Sequence, residues 1–193
     1  QLAQIYAIKD SLLTHPYTAK YFQQTERYDV HFQFPIEFEY NGVQCKGLLD
    51  MLVVDKELGH LYPIDLKTTN VKTVNWVGMF WKLRYDFQAA FYYVGLFLGG
   101  YCQKYNCTEI KPFKFIVESQ SSPGTPLIFE AGVDIINFGR HGGKMITKDY
   151  EGFDQAIKRL VWHSENDLWD YPMEDYLNKG VRLLTLPTLG DGN

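Results

Sequence analysis

Three charged side chains interrupt apolar runs in this sequence. Asp50 sits in GLLDMLVV, and Asp65 and Lys67 sit in YPIDLKTT. A charge in such a run is costly to bury without a partner. Asp65 and Lys67 are two residues apart, so on a strand they share a face. If the two runs are neighbouring strands, Asp50 joins them, and two carboxylates and an ammonium converge. Hard divalent cations such as magnesium take carboxylate and water oxygens, usually with one or two protein carboxylates. A lysine beside them can orient or deprotonate an attacking water and offset charge on a phosphate. An Asp-x-Lys triplet alone is weak, since chance supplies about one in every one or two chains of this length. The joint pattern is stronger: Gly47-x-x-Asp50, then Pro63-x-Asp65-x-Lys67, then Gln88-x-x-x-Tyr92. Gln88 and Tyr92 are four apart and share one helical face, polar on an otherwise apolar stripe.

The elements that must position these residues are readable from periodicity. Leu2, Ile5, Ile8, Leu12 and Leu13 recur at helical spacing until His15-Pro16 ends the pattern. A second short helical stretch is expected over Tyr17 to Gln24. Phe32, Phe34, Ile36, Phe38 and Tyr40 then alternate with polar residues, a strand interrupted by Pro35. Asn41-Gly42 is a hairpin turn. The return strand runs from Val43 to Val54, Asp55 to Gly59 turns the chain, and Leu61 to Thr68 is a third strand. Trp76 to Gly99 reads as one long aromatic helix, with Phe80, Leu83, Phe87, Ala90, Phe91, Val94 and Phe97 at spacings of three and four. Pro112 to Ser119 and Leu127 to Val133 read as further strands around a Ser-Ser-Pro-Gly turn. Asp149 to Asn166 is an amphipathic helix, and the tail from Leu168 has no clear period. The order predicts a single α/β domain over residues 1–193: a central mixed sheet flanked by helices, with its core at about 12–135 and a C-terminal helix and tail over 136–193.

The chain has 193 residues, with 46% hydrophobic and 22% charged side chains. That length carries one domain with a proper core, and the charged fraction excludes a disordered or fibrous chain. The net charge of -4 argues against a broad, non-specific basic footprint on nucleic acid. Cys45, Cys102 and Cys107 give no even disulfide framework, which points to a reducing cytosol. No apolar stretch reaches the roughly 20 residues that span a bilayer, so a soluble, cytoplasmic protein with no membrane partner is expected. Basic residues near the motifs are Lys72, Lys82 and Arg84. A second run is Arg140, Lys144 and Lys148, with Gly139, Gly142 and Gly143 for close backbone approach to phosphate. Trp76, Phe80 and Trp81 are read as exposed, either to stack on frayed bases or to pack.

The segments KGLLDMLVVD, YPIDLKTT and YDFQAAFYY resemble the PD-(D/E)xK nuclease superfamily, and within it the RecB-type branch, closest to the RecE-like phage exonucleases. The resemblance covers roughly residues 12 to 120. It implies a restriction-endonuclease-like core and metal-dependent hydrolysis of phosphodiester bonds. It makes Asp50 and Asp65 the metal-binding carboxylates, with the Leu66 backbone carbonyl as a further ligand, and Lys67 the catalytic lysine. It places Gln88 and Tyr92 at the DNA entrance, with Lys72 and Arg84 as DNA contacts beside them. An upstream acid belongs to the family pattern. Glu37 and Glu39 both fit, and Glu37 is favoured by its place before the hairpin. His15 is the candidate for the N-terminal histidine ligand of RecB-type members. The cofactor implied is one or two magnesium or manganese ions. Three cysteines do not make the four-cysteine iron–sulfur site of some relatives. The partners implied are duplex DNA with free ends, a single-strand annealing protein, and further copies of the chain in a ring. Digestion would run 5′ to 3′, in the cytoplasm of a bacterial or phage-infected cell. Three other readings stand beside it: a catalytically silent DNA-binding module, a restriction-type endonuclease, and a non-nuclease in which the triplet is chance.

Overall fold

The alternation of Phe34, Ile36, Phe38 and Tyr40 buries these side chains on one face of β1 (Tyr28–Tyr40). Asn41 and Gly42 both take positive φ, at 49° and 78°, the turn that matches strand twist and returns the chain into β2 (Val43–Asp55). The structure, a computed structural model, describes residues 2–184. The last nine residues of the expected irregular tail lie outside them. β3 (His60–Thr69) pairs antiparallel with β2. β5 (Phe113–Ser119) lies parallel to β3, so the chain crosses over between them. That crossover carries α2 (Val77–Lys82), α3 (Tyr85–Leu98), α4 (Tyr101–Lys104) and the short strand β4 (Glu109–Ile110). β6 (Leu127–Ala131) completes a mixed sheet of order β1-β2-β3-β5-β6, with β4 beside the start of β3. Pro35 is tolerated because β1 is an edge strand. The fold is the expected mixed α/β sheet flanked by helices.

The helix α3 covers one face of the sheet, over a core that includes Phe38, Leu49, Leu52, Phe113 and Phe115. On the other face Met51, Val53, Ile64 and Ile116 are covered by Leu12 of α1 (Leu2–Thr14) and by Tyr21 and Phe22 after it. These two lists expose a slip in the alternation. Leu49 and Leu52 belong to the same face although they are three positions apart, and Met51 faces the opposite way. The slip falls at Asp50. Across the hairpin Gln33 takes φ 48°, and Phe32 is 55% exposed rather than buried with Phe34. The pairing register is unbroken on both sides, Phe34 with Leu49 and Phe32 with Met51. Both strands therefore carry one irregular residue, opposite each other, and their faces exchange there.

The expected helix from Trp76 to Gly99 is two helices. Arg84, at φ 56°, breaks it. Its guanidinium is bound to the fully buried Asp86 through Nε and Nη2, each at 3.0 Å, and donates to the Glu151 carbonyl at 2.6 Å. The aromatic spacing runs straight through this break, so periodicity missed it. Residues after β6 form α5 (Val133–His141), which the sequence reading lacked, followed by a hairpin of β7 (Gly143–Met145) and β8 (Lys148–Tyr150). The amphipathic helix therefore starts at Phe153, as α6 (Phe153–Asn166), and α7 (Met173–Leu177) follows. A Cβ on Gly139 would lie 2.0 Å from the Asp86 carbonyl oxygen, and one on Gly142 would lie 2.3 Å from that of Tyr150. These glycines serve close packing of α5 on α3 and of the hairpin, not approach to phosphate. Trp76 and Phe80 are core residues, 2% and 9% exposed, rather than surface rings.

Candidate active site

β2 and β3 pair only from Asp55 opposite His60 up to Met51 opposite Ile64, and then part. Asp50 stands at the parting. Its Oδ2 accepts the Leu66 N–H at 2.9 Å, taking the place of a ladder bond, and its Oδ1 lies 3.4 Å from Gln33 Nε2. Asp65 and Lys67 lie next on β3 and share a face, as two-residue spacing requires. Lys67 Nζ is 2.6 Å from Asp65 Oδ2 and 4.4 Å from the centre of the Tyr85 ring. Gln88 Nε2 donates to Asp65 Oδ1 at 3.0 Å. Four residues further along α3, Tyr92 donates its hydroxyl to the Leu48 carbonyl at 3.0 Å. Its ring covers Gly47, where a Cβ would meet it at 2.6 Å. Asp50, Asp65, Lys67 and Gln88 thus meet at one place, and Tyr92 braces the strand that carries Asp50.

Asp65 is the least ordinary member. Its side chain is 3% exposed. Burial pushes its carboxyl up to about 6, against the opposing pull of the Lys67 ammonium; the charge of Asp50 adds to the rise and the Gln88 hydrogen bond subtracts from it. Oδ2 is buried against the Lys67 ammonium. A buried carboxylate is costly to ionise even beside an ammonium. Next to a second carboxylate, it is also the donor a hard cation requires. Magnesium and manganese are satisfied by one or two protein carboxylates with waters completing the shell, so the donor set fits. No group of three or more His, Cys, Asp or Glu residues gathers to hold a metal among the described residues.

That result bears on the remaining candidates. Glu37 is exposed and pairs with Lys46, four residues along β1 from Gln33. At strand rise this puts it about 13 Å from the parting, so Glu37 does not join the two aspartates. Glu39 lies still further out, where its carboxylate accepts from Gln44. His15 follows α1, with its ring edge-on to Tyr17, and lines a separate cavity with Lys72. It is not gathered with the aspartates either. Lys72 is exposed in the loop after β3. Arg84 is not available as a surface DNA contact, because its guanidinium is spent on Asp86 and Glu151. Arg140 is likewise turned to Tyr40 and Asp154. Two participants were missed. Gln33 carried no signal in the sequence. Tyr85 did carry one, since it lies three residues before Gln88 on the same face of α3.

A search of protein-family models and of curated proteins found no match to the chain. Among solved structures it is similar to that of a candidate exonuclease from Eubacterium rectale, at 14% identity and a TM-score of 0.54. The alignment covers 96% of this chain and 62% of that one, so the chain spans about three-fifths of that protein's length. At this identity the likeness is one of fold. No helix among the described residues is long and apolar enough to cross a membrane.

Proposed function

We propose that this chain is a metal-dependent deoxyribonuclease of the PD-(D/E)xK type, an exonuclease that hydrolyses duplex DNA from its ends. The observation that carries the reading is Asp65. It is buried, its carboxyl is pushed up by that burial, and it lies against Lys67 beside the parting held by Asp50. The similarity of fold to a candidate exonuclease fits the same reading. Asp50 and Asp65, with the Leu66 carbonyl, would hold one or two magnesium or manganese ions. Such an ion, when bound, supplies a lowered pKa for water and neutralises charge on a phosphate.

The chain's own residues supply the rest. Gln88 donates to Asp65 Oδ1 and so fixes the orientation of a carboxylate that would hold the ion. Lys67 orients the attacking water and offsets charge that develops on the phosphate. Tyr85 lies under the Lys67 ammonium and restricts where it can swing. Products with 5′-phosphates follow from the resemblance to the superfamily. Polarity from 5′ to 3′, a place beside a single-strand annealing protein, ring assembly and a cytoplasmic setting belong to the same proposal through the RecE-like resemblance.

The test is cleavage of linear, nicked and covalently closed DNA, with and without magnesium. An exonuclease consumes the linear form, spares the closed circle and stops in chelator. Cutting of closed circles would make the enzyme an endonuclease. No cutting of any form would leave a silent binding module.

A further inference from the structure

A cavity of about 520 Å³ opens beyond the active site, at the carboxyl ends of β3 and β5. Its wall includes His15, Tyr17, Lys72 and the exposed hydroxyl residues Ser121, Ser122 and Thr125. Ser119 pairs with Thr69 on β3, and Thr69 is two residues past Lys67. At strand rise that is a step of about 7 Å from the proposed catalytic lysine.

The wall is held in place from behind. Glu118 is fully buried and accepts the N–H groups of Ser119 at 2.6 Å and Gly124 at 3.2 Å, together with the Ser11 hydroxyl from α1. The Thr73 hydroxyl donates to the Thr125 carbonyl at 3.0 Å, and Gln120 N–H donates to the Thr69 carbonyl at 2.8 Å. The loop between β5 and β6 is therefore ordered by the protein itself.

The chemistry of the lining is selective. No aspartate or glutamate lines the cavity, in a chain whose net charge is -4. An ammonium, an imidazole and the exposed hydroxyls of Ser121, Ser122 and Thr125 are groups that bind phosphate oxygens, while the buried Thr73 and Ser119 hydroxyls are engaged within the wall. Tyr17 is 63% exposed and offers a face for a base, with Val74 and Leu127 beside it. The volume falls within the range of small-ligand sites, about 300–1,000 Å³.

We propose that this cavity binds one nucleotide unit of the substrate strand, its phosphate among Lys72, His15 and the hydroxyls and its base against Tyr17. The proposal rests on the nuclease reading for the identity of the substrate. It gives His15 a role at phosphate in place of a metal.

The probe is thymidine 5′-monophosphate, titrated by calorimetry or NMR into the protein in chelator, with thymidine as the phosphate-free control. The monophosphate should bind at least about tenfold more tightly than thymidine, and Lys72→Ala and His15→Ala should each weaken it about fivefold. Lys67→Ala should leave it unchanged. Equal binding of nucleotide and nucleoside, or unchanged binding in both variants, overturns the proposal. Cleavage of linear DNA by the wild type is measured alongside. If it cuts but the monophosphate does not bind, the subsite alone falls. If it does not cut, yet monophosphate binding depends on Lys72, the subsite stands and the catalytic reading falls.

Discussion

Replacing Asp65 by asparagine should make the metal-free protein more stable while abolishing its activity. The carboxyl titrates at about 6 in the fold instead of the ordinary 3.8. That difference, at about 1.4 kcal/mol for each tenfold change, means that the ionised form costs about 3 kcal/mol of folding free energy at neutral pH. The figure already includes the attraction of Lys67, since it compares charged and neutral forms in the same surroundings. Asparagine is neutral in both states and keeps an oxygen for Gln88, so it escapes this cost. For a domain of this size, each kcal/mol moves Tm by about 2–4 °C, so the gain approaches about 6–12 °C. Because the folded-state pKa is raised, the stability linked to Asp65 is fully present below pH 3.8 and is lost as pH rises through about 6. The gap between variant and wild type should therefore be full above about pH 7 and close by about pH 4. The assay is calorimetric or fluorescence-monitored melting of both proteins in chelator across that range, repeated with magnesium. Magnesium should raise the wild-type Tm and leave that of the variant unmoved. A variant no more stable than wild type at neutral pH, or a gap that does not close on acidification, refutes the account of Asp65 as a buried charge awaiting a cation.

Lys67→Ala should lower kcat on linear DNA by at least about a hundredfold while DNA affinity, read by gel shift or anisotropy, stays within a few-fold. Full activity in that variant removes Lys67 from the chemistry. Gln88→Ala takes away a hydrogen bond that holds the Asp65 carboxyl down, so the acid limb of the kcat/KM profile should move to higher pH with about a tenfold loss of rate; an unmoved limb separates Gln88 from Asp65. Gly139→Ala must push α5 away from the Asp86 carbonyl and should cost about 1–3 kcal/mol in urea unfolding, with the cleavage site unaltered at the residues that carry it.

Much of this architecture could be read from the chain because its signals are local. Period-two runs and Asn41-Gly42 specify the hairpin, and charges in apolar strands mark Asp50, Asp65 and Lys67. Those charges had to find one another, because nothing else in a β-strand interior compensates them. The failures share a different cause. Arg84 breaks the aromatic helix through an ion pair with Asp86 and a bond to Glu151, a partner far away in sequence. Gly139 and Gly142 look open to a ligand in sequence, but their space is filled by the protein's own backbone. Trp76 and Phe80 lie at a helix start whose burial depends on β5 and β6 closing over them. Glu37 stands before a turn, as an upstream acid would, but a regular strand carries it outward, away from the parting. The exchange of faces at Gln33 and Asp50 leaves no trace in periodicity, since both halves of the hairpin alternate correctly on their own.

That exchange also explains why the sheet has an opening at all. Two antiparallel strands with free amides and carbonyls continue to zip until something stops them. Here the stop is Asp50, whose carboxylate fills the Leu66 N–H that the next residue of β2 would otherwise engage. The same side chain proposed to hold a cation thus works as a wedge between β2 and β3. Past it, the outer half of the β1–β2 hairpin packs on α3, with Phe38 against Phe91 and over Gly95, rather than against β3. The mouth of the site is therefore a fork in a single sheet, and its width is set by the packing on either prong.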